Sequence, residues 1–369
     1  MNNSTIHPSD MYNHDPPCAH VVSTLFTVLL SIVSLSAFIG NFLVIASFIK
    51  APSLKTSTNY YIVNMAVSDF LCACFNWPLY ATEGMLTSRI YINEPMASVA
   101  CKMGMYVRGI SQVVSVLNLV LIAVDRYVGI VFPLKVTMLD RGRVRLTLLV
   151  LTWIIPVACG VPHFLYTKVV KVDDQTFCRL VWDRQVNTTF NFIAFVLFYC
   201  LPLIAMIILY TLIVKTLRNR GPNTSSTLDK TQDQLANKRQ KQNQKITKIL
   251  ISIVAAFFIC WTPLCVYLSL KMFHPGLVAR DKCMVLVALF FYVFPTLSTT
   301  INPFILFLFS TNYRQALKSL TLQLCDLFKC RLSPHTSRRI ASSHASKDNN
   351  VVMTHFNGET GNTIVGKSS

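Results

Sequence analysis

The chain has 369 residues, of which 53% are hydrophobic and only 14% charged, with a formal net charge of +18. Soluble domains carry about 25% charged residues, so the composition argues against a water-soluble enzyme or binding module. The surplus of Lys and Arg brings no nucleic-acid recognition motif with it; it gathers in polar stretches between apolar runs.

Seven of those runs reach the roughly 20 residues that a helix needs to cross a bilayer. They lie at about 21–49, 59–82, 98–131, 146–166, 188–217, 246–272 and 284–309, to within a few residues. The expected fold is an all-α membrane protein: a seven-transmembrane helix bundle over 21–311, with a short amphipathic helix after the seventh span. Residues 1–20, polar and containing Asp10, Asp15, Pro16 and Pro17, form an extracellular segment without the basic-then-apolar layout of a cleaved signal peptide. Sequons begin at Asn2, Asn3 and Asn187 and are candidate glycosylation sites.

The first span contains Gly40-Asn41 and the second Asn64, Ser68-Asp69 and Trp77-Pro78. The third opens near Cys101, carries Arg108, Gln112 and Ser115, and ends in Asp125-Arg126-Tyr127. A charged residue at the centre of a membrane helix costs about 2.5–3.5 kcal/mol, so Asp69, Arg108 and Arg126 each need a partner or a purpose. Arg108 follows Cys101 by two helical turns and lies on the same face as Ser115. Its guanidinium suits a carboxylate or peptide carbonyl, or it pairs structurally with Glu83. Asp69 is either satisfied by hydrogen bonds alone or holds a cation.

The fourth span has Trp153 and Pro156, and a long charged loop at 168–189 contains Cys178. Pro202 and Tyr210 mark the fifth span. The connection at 218–245, rich in Asn, Gln, Thr and Lys, reads as a mobile loop. Phe257, then Cys260-Trp261-Thr262-Pro263, mark the sixth span, and Asn302-Pro303-Phe304-Ile305-Leu306 closes the seventh. Residues 312–325 place Tyr313, Leu317, Leu320 and Leu324 at helical spacing, as in a juxtamembrane helix lying on the membrane. A disordered cytoplasmic tail is expected over 326–369, and Cys325 and Cys330 are candidate lipidation sites. Lys50, Lys55, Arg141, Arg143, Arg145, Arg218 and Lys238 all fall on one side, which the positive-inside bias makes the cytoplasm. The N-terminus is then extracellular and the C-terminus cytoplasmic, in a multi-pass protein of the plasma membrane.

In this order, within these spans, the motifs resemble those of rhodopsin-like (class A) G-protein-coupled receptors, most like the neuropeptide-receptor group. The resemblance covers about residues 21–325. It implies a receptor, not an enzyme, that binds an extracellular peptide and activates a heterotrimeric G protein, with arrestin and receptor kinase as further partners and no nucleic acid. It implies a Cys101–Cys178 disulfide, leaving Cys18 and Cys283 as a second pair. Arg108, Glu83, Gln112 and Trp261 fall on the ligand side. Asp125, Arg126, Tyr127, Tyr210, Phe257, Trp261, Pro263, Asn302 and Pro303 form the activation switch. No cofactor is required; a sodium ion near Asp69, Ser115, Ser298 and Asn302, with Asn41 close by, would be an allosteric ligand. Amine and retinal ligands are disfavoured, because Arg108 replaces the aspartate of amine receptors and Thr296 the retinal-linking lysine. Leu306 departs from the family, whose seventh-helix motif ends in tyrosine; either coupling is altered or the change is tolerated. A non-peptide anionic ligand and a weakly signalling decoy are the alternative functions. A transporter is disfavoured by the lack of internal repeats.

Overall fold

The computed structural model describes residues 17–82, 94–132, 142–172, 175–219, 230–273, 276 and 287–332. Seven helical stretches among them build the bundle. Helix α1 is Pro17–Lys50, α2 is Ser57–Thr82, α3 is Glu94–Val131 and α4 is Gly142–Tyr166. Strands β1 (Thr167–Val172) and β2 (Gln175–Leu180) pair antiparallel, with Val169 opposite Cys178. Helix α5 runs Arg184–Phe195, widens into a π turn at Val196–Cys200, and continues as Leu201–Asn219. Helix α6 is Lys230–Phe273, and α7 opens with a π turn at Val287–Val293 before Phe294–Phe309. Helix α8 is Thr311–Leu332.

Both π turns end shortly before a proline, Pro202 and Pro295. Proline offers no N–H to the preceding turn and its ring crowds the carbonyl four residues back. A wider turn relieves that crowding, and the Leu201 N–H bonds Val196 O in the i→i+5 manner.

Five helices among the described residues are long and apolar enough to cross a membrane, and Phe294–Phe309 adds a shorter apolar one. In the apolar windows of α4 and α5 only 11% of residues are buried. Ile154 and Val161 on α4, and Leu197, Ile204 and Ile208 on α5, turn outward. An apolar exterior over a polar-containing interior suits hydrocarbon, not water. This is a multi-pass membrane protein.

Helix α3 packs against α2, α4 and α5, while α7 packs against α1 and α6. Asn64 ties three helices together. Its Nδ2 donates to Asn118 Oδ1 (3.1 Å) and Thr152 Oγ1 (2.9 Å), and its Oδ1 accepts the indole N–H of Trp153 at 2.8 Å.

Three expectations change. The stretch 218–245 is not all loop, because α6 starts at Lys230. Residues 230–245 contain no Gly or Pro and are rich in Lys and Gln, good helix formers that extend an already nucleated helix. Within 168–189 the charged loop folds into the β1–β2 hairpin. Helix α8 extends to Leu332, into residues assigned to the tail. Two compact units divide the chain, Met1–Leu317 and Lys318–Ser369; the described part of the second, 318–332, is helical.

Gly40 marks the close approach of α1 to α7. A Cβ there would meet Pro303 Cβ at 2.9 Å. Gly40→Ala is therefore expected to cost about 1–3 kcal/mol through overpacking, measured as a lower melting temperature of detergent-purified protein.

Candidate functional site

Helix α3 is the axis on which the candidate residues are arranged. Its 38 residues span about 57 Å at 1.5 Å per residue, longer than the roughly 30 Å hydrocarbon core. Cys101 and Asp125 consequently stand near opposite ends.

At one end, Cys101 is bonded to Cys178 of β2. The bond fastens the hairpin to the mouth of α3. The side chain of Cys18 and the whole of Cys283, the other expected pair, lie outside the described residues, as does Glu83.

Further along α3 from Cys101 lies a small cavity. Arg108, Gln112 and Trp261, assigned to the ligand side from the sequence, all line it. The Arg108 guanidinium carbon sits 5.1 Å from the centre of the Tyr292 ring, a cation–π distance. Trp261 is 4% exposed, its ring tilted against Phe257 at 5.9 Å, and Pro263 lies two residues further along α6.

Asp69, Ser115 and Ser298 line the same cavity. Asp69 is 2% exposed, and its carboxylate accepts from Ser111 Oγ (3.2 Å), Ser115 Oγ (3.1 Å) and Asn302 Nδ2 (3.2 Å). Ser298 takes a different role: it donates to Pro295 O and accepts the indole N–H of Trp261 at 3.1 Å. Asn41 donates to Ala37 O and Thr299 O, joining α1 to α7. Ser111 was missed in the sequence, although its position four residues before Ser115 places both hydroxyls on one helical face.

The oxygen-rich setting of Asp69 fits a hard monovalent cation. A buried carboxylate with only neutral donors keeps an uncompensated charge, and the hydroxyls of Ser111 and Ser115 supply further oxygens beside it.

At the far end of α3, Arg126 grips its neighbour. Its Nη2 and Nε donate to Asp125 Oδ2 at 2.7 and 3.1 Å, and Thr58 Oγ1 of α2 donates to the same oxygen at 2.6 Å. Tyr127 packs edge-on against Phe132. On α5, the Tyr210 hydroxyl is buried and makes no hydrogen bond among the described residues. Asn302 and Pro303 are buried in α7, and Leu306 joins the same apolar cluster as Tyr210.

This chain of motifs matches a known family. The family described as 7 transmembrane receptor (rhodopsin family) is matched over residues 40–306. The chain belongs to that family. It is a receptor family, not one of enzymes, and the matched stretch reaches from Gly40 to Leu306.

Several receptors are similar to it. The Drosophila melanogaster tachykinin-like peptides receptor 86C is 28% identical over 316 residues, covering 82% of this chain and 59% of that receptor. The Homo sapiens neuromedin-K receptor is 31% identical over 298 residues, with coverages of 80% and 61%. The Mus musculus somatostatin receptor type 2 is 26% identical over 270 residues, covering 72% and 69%. The receptor thus spans about three fifths of the length of the first two.

Other candidate sites have separate fates. Asn187 sits in the first turn of α5, where its amide oxygen accepts from Asn191 at 2.8 Å. Asn2 and Asn3 lie outside the described residues, as do the side chains of Cys325 and Cys330.

Replacing Cys178 by Ser releases the hairpin from α3. The expected loss is about 2–4 kcal/mol of stability, read as a lower melting temperature that reducing agent changes less than it does in the wild type.

Proposed function

We propose that this receptor sits in the plasma membrane with its N-terminus outside, binds an extracellular peptide and activates a heterotrimeric G protein. The observation that carries this reading is the grip of Asp125 on Arg126 at 2.7 Å, at the end of α3 opposite a cavity containing Arg108 and Trp261. Such a grip is a bond to be broken in one of two states. A ligand that binds one state more tightly shifts the population by its differential affinity alone.

Arg108 and Gln112 would receive a carboxylate or carbonyl of the peptide. Motion of Trp261 would strain its bond to Ser298, and the Pro263 kink, lacking one backbone hydrogen bond, would let the inner part of α6 swing. The names of relatives, such as the tachykinin-like peptides receptor, support a peptide ligand. The basic ends of α4, α5 and α6 would border the G protein. Serines of the tail would serve a receptor kinase and arrestin, lipid chains on Cys325 and Cys330 would hold α8 to the membrane, and glycans would occupy Asn2, Asn3 and Asn187. A sodium ion at Asp69 would act as an allosteric ligand.

G-protein dissociation in cells, under challenge with a peptide library, tests the reading. A peptide response that weakens at least tenfold in Arg108→Ala is expected; responses only to non-peptide anions would replace the peptide. Asp125→Asn removes a charge-assisted bond worth about 1.5–3 kcal/mol and should raise basal dissociation several-fold. Unchanged basal dissociation at equal surface expression would mean that the pair is no restraint.

A second reading, a weakly signalling decoy, is favoured by the Tyr210 hydroxyl, which has no hydrogen bond among the described residues while Leu306 occupies the same cluster. Leucine has no group to offer it. Under this reading Leu306→Tyr restores ligand-stimulated dissociation; a wild-type response equal to that of the variant rules it out.

A further inference from the structure

Two hydroxyls meet on the outer surface of the bundle, within its apolar spans. The Tyr199 hydroxyl of α5 lies 2.6 Å from Thr262 Oγ1 of α6. Thr262 is exposed, on the same helical face as Ile259 and Val266, which also turn outward. Thr262 Oγ1 donates its only proton to Phe258 O at 2.6 Å, so Tyr199 is the donor in the pair. In hydrocarbon each hydroxyl would be costly alone. Together they form a relay from α5 to the backbone of α6.

Both ends of the relay sit where a helix is irregular. Tyr199 leaves α5 from within the π turn Val196–Cys200. That turn holds one residue more than an α turn, which rotates the outer part of α5 by about 100° against the inner part. The Tyr199 ring is stacked on Phe195 at 5.3 Å and edge-on to Phe258 at 5.3 Å, which fixes its direction. Thr262 immediately precedes Pro263, the proline inside α6. Proline offers no N–H to the carbonyl four residues back, that of Ile259. The α6 backbone is therefore weakest at the turn that the relay grips.

We propose that the Tyr199–Thr262 bond is a latch on the α6 hinge, fastening the turn before Pro263 to α5 and favouring the state in which Asp125 grips Arg126. Resting on the reading of that state as the restrained one, it makes Tyr199 and Thr262 positioning residues that act on the switch through α6. A swing about the hinge displaces Thr262 from Tyr199, and beyond about 3.5 Å no hydrogen bond is left. The latch thus stabilises one state alone, and its loss shifts the population toward the other. Hydrogen bonds between membrane helices are modest, so the shift is about threefold to tenfold.

The position of α6 can be read without ligand. Thr247 of α6 is 2% exposed and its hydroxyl makes no hydrogen bond among the described residues. Thr247→Cys therefore places a thiol that is shielded while α6 lies inward. Full-length receptor in detergent is treated with a maleimide, and labelling at position 247 is followed by mass spectrometry. Tyr199→Phe keeps the ring and loses the bond; it should speed labelling about threefold to tenfold. Thr262→Val should do the same, and the two together should add nothing further. Thr262→Ser keeps the hydroxyl and should stay within about twofold of the parent. Basal G-protein dissociation in cells should rise in the same order, with Asp125→Asn as the reference for a released switch. If Tyr199→Phe does not fold, Thr262→Val against Thr262→Ser carries the test.

Parent labelling rates in Tyr199→Phe and Thr262→Val, even with a lower melting temperature, would overturn the latch and leave a structural bond. Slower labelling would overturn it as well, since the bond would then belong to the other state. Equal acceleration by Thr262→Ser and Thr262→Val would assign the effect to packing and not to the hydroxyl. Faster labelling in a protein that dissociates no G protein, Asp125→Asn included, would leave the latch standing and remove the G-protein reading.

Discussion

In hydrocarbon no water is present to receive a polar group, and each one left open costs several kcal/mol. That constraint orders this molecule. Backbone groups are closed within helices, and polar side chains are driven to the bundle interior, where other side chains and backbone carbonyls answer them. Asn64 answers Asn118, Thr152 and Trp153 at once; Asn41 answers α7. These bonds join helices whose apolar faces alone do not distinguish one neighbour from another, since lipid is as apolar as leucine.

The same constraint makes the charged residues of α3 and α2 informative. Arg126 is answered by the residue next to it, and that acid is answered again by Thr58 from α2. The pair is thereby held to the bundle at a single carboxylate oxygen, a small point of attachment for a large side chain. Asp69 is answered by neutral donors from α3 and α7. It joins the helix that carries Arg108 to the helix that carries Pro303. Between these two sites the interior is mainly apolar, with Leu119, Ile122, Phe257 and Leu306 in one cluster. The helices and their proline kinks connect the two ends.

Prolines supply the places where those helices depart from regularity. Pro202 and Pro295 each follow a π turn, and Pro263 and Pro303 lie inside helices. Gly40 leaves room for Pro303, so the irregular part of α7 is held against α1. Packing at that contact is tight.

The class of fold was legible in the amino acids themselves. Runs of membrane length, inward polar residues and spaced prolines are local properties, and they placed most of the helices within a few residues, the start of α6 excepted. The residues that share a cavity were largely legible too, because Arg108, Gln112 and Ser115 follow one helical face. Polarity misled where it was read as disorder: 230–245 is helical because propensity and continuity with an apolar span outweigh the lack of an apolar face. Strand pairing in 168–189 was not legible, since register depends on partners across the hairpin. Tertiary structure alone decided which hydroxyls turn to Asp69. Ser298 turned instead to Trp261, and Ser111 took a place beside the carboxylate. A helical periodicity states which face a side chain occupies; which neighbour it finds there depends on how the helices are rotated and set against one another.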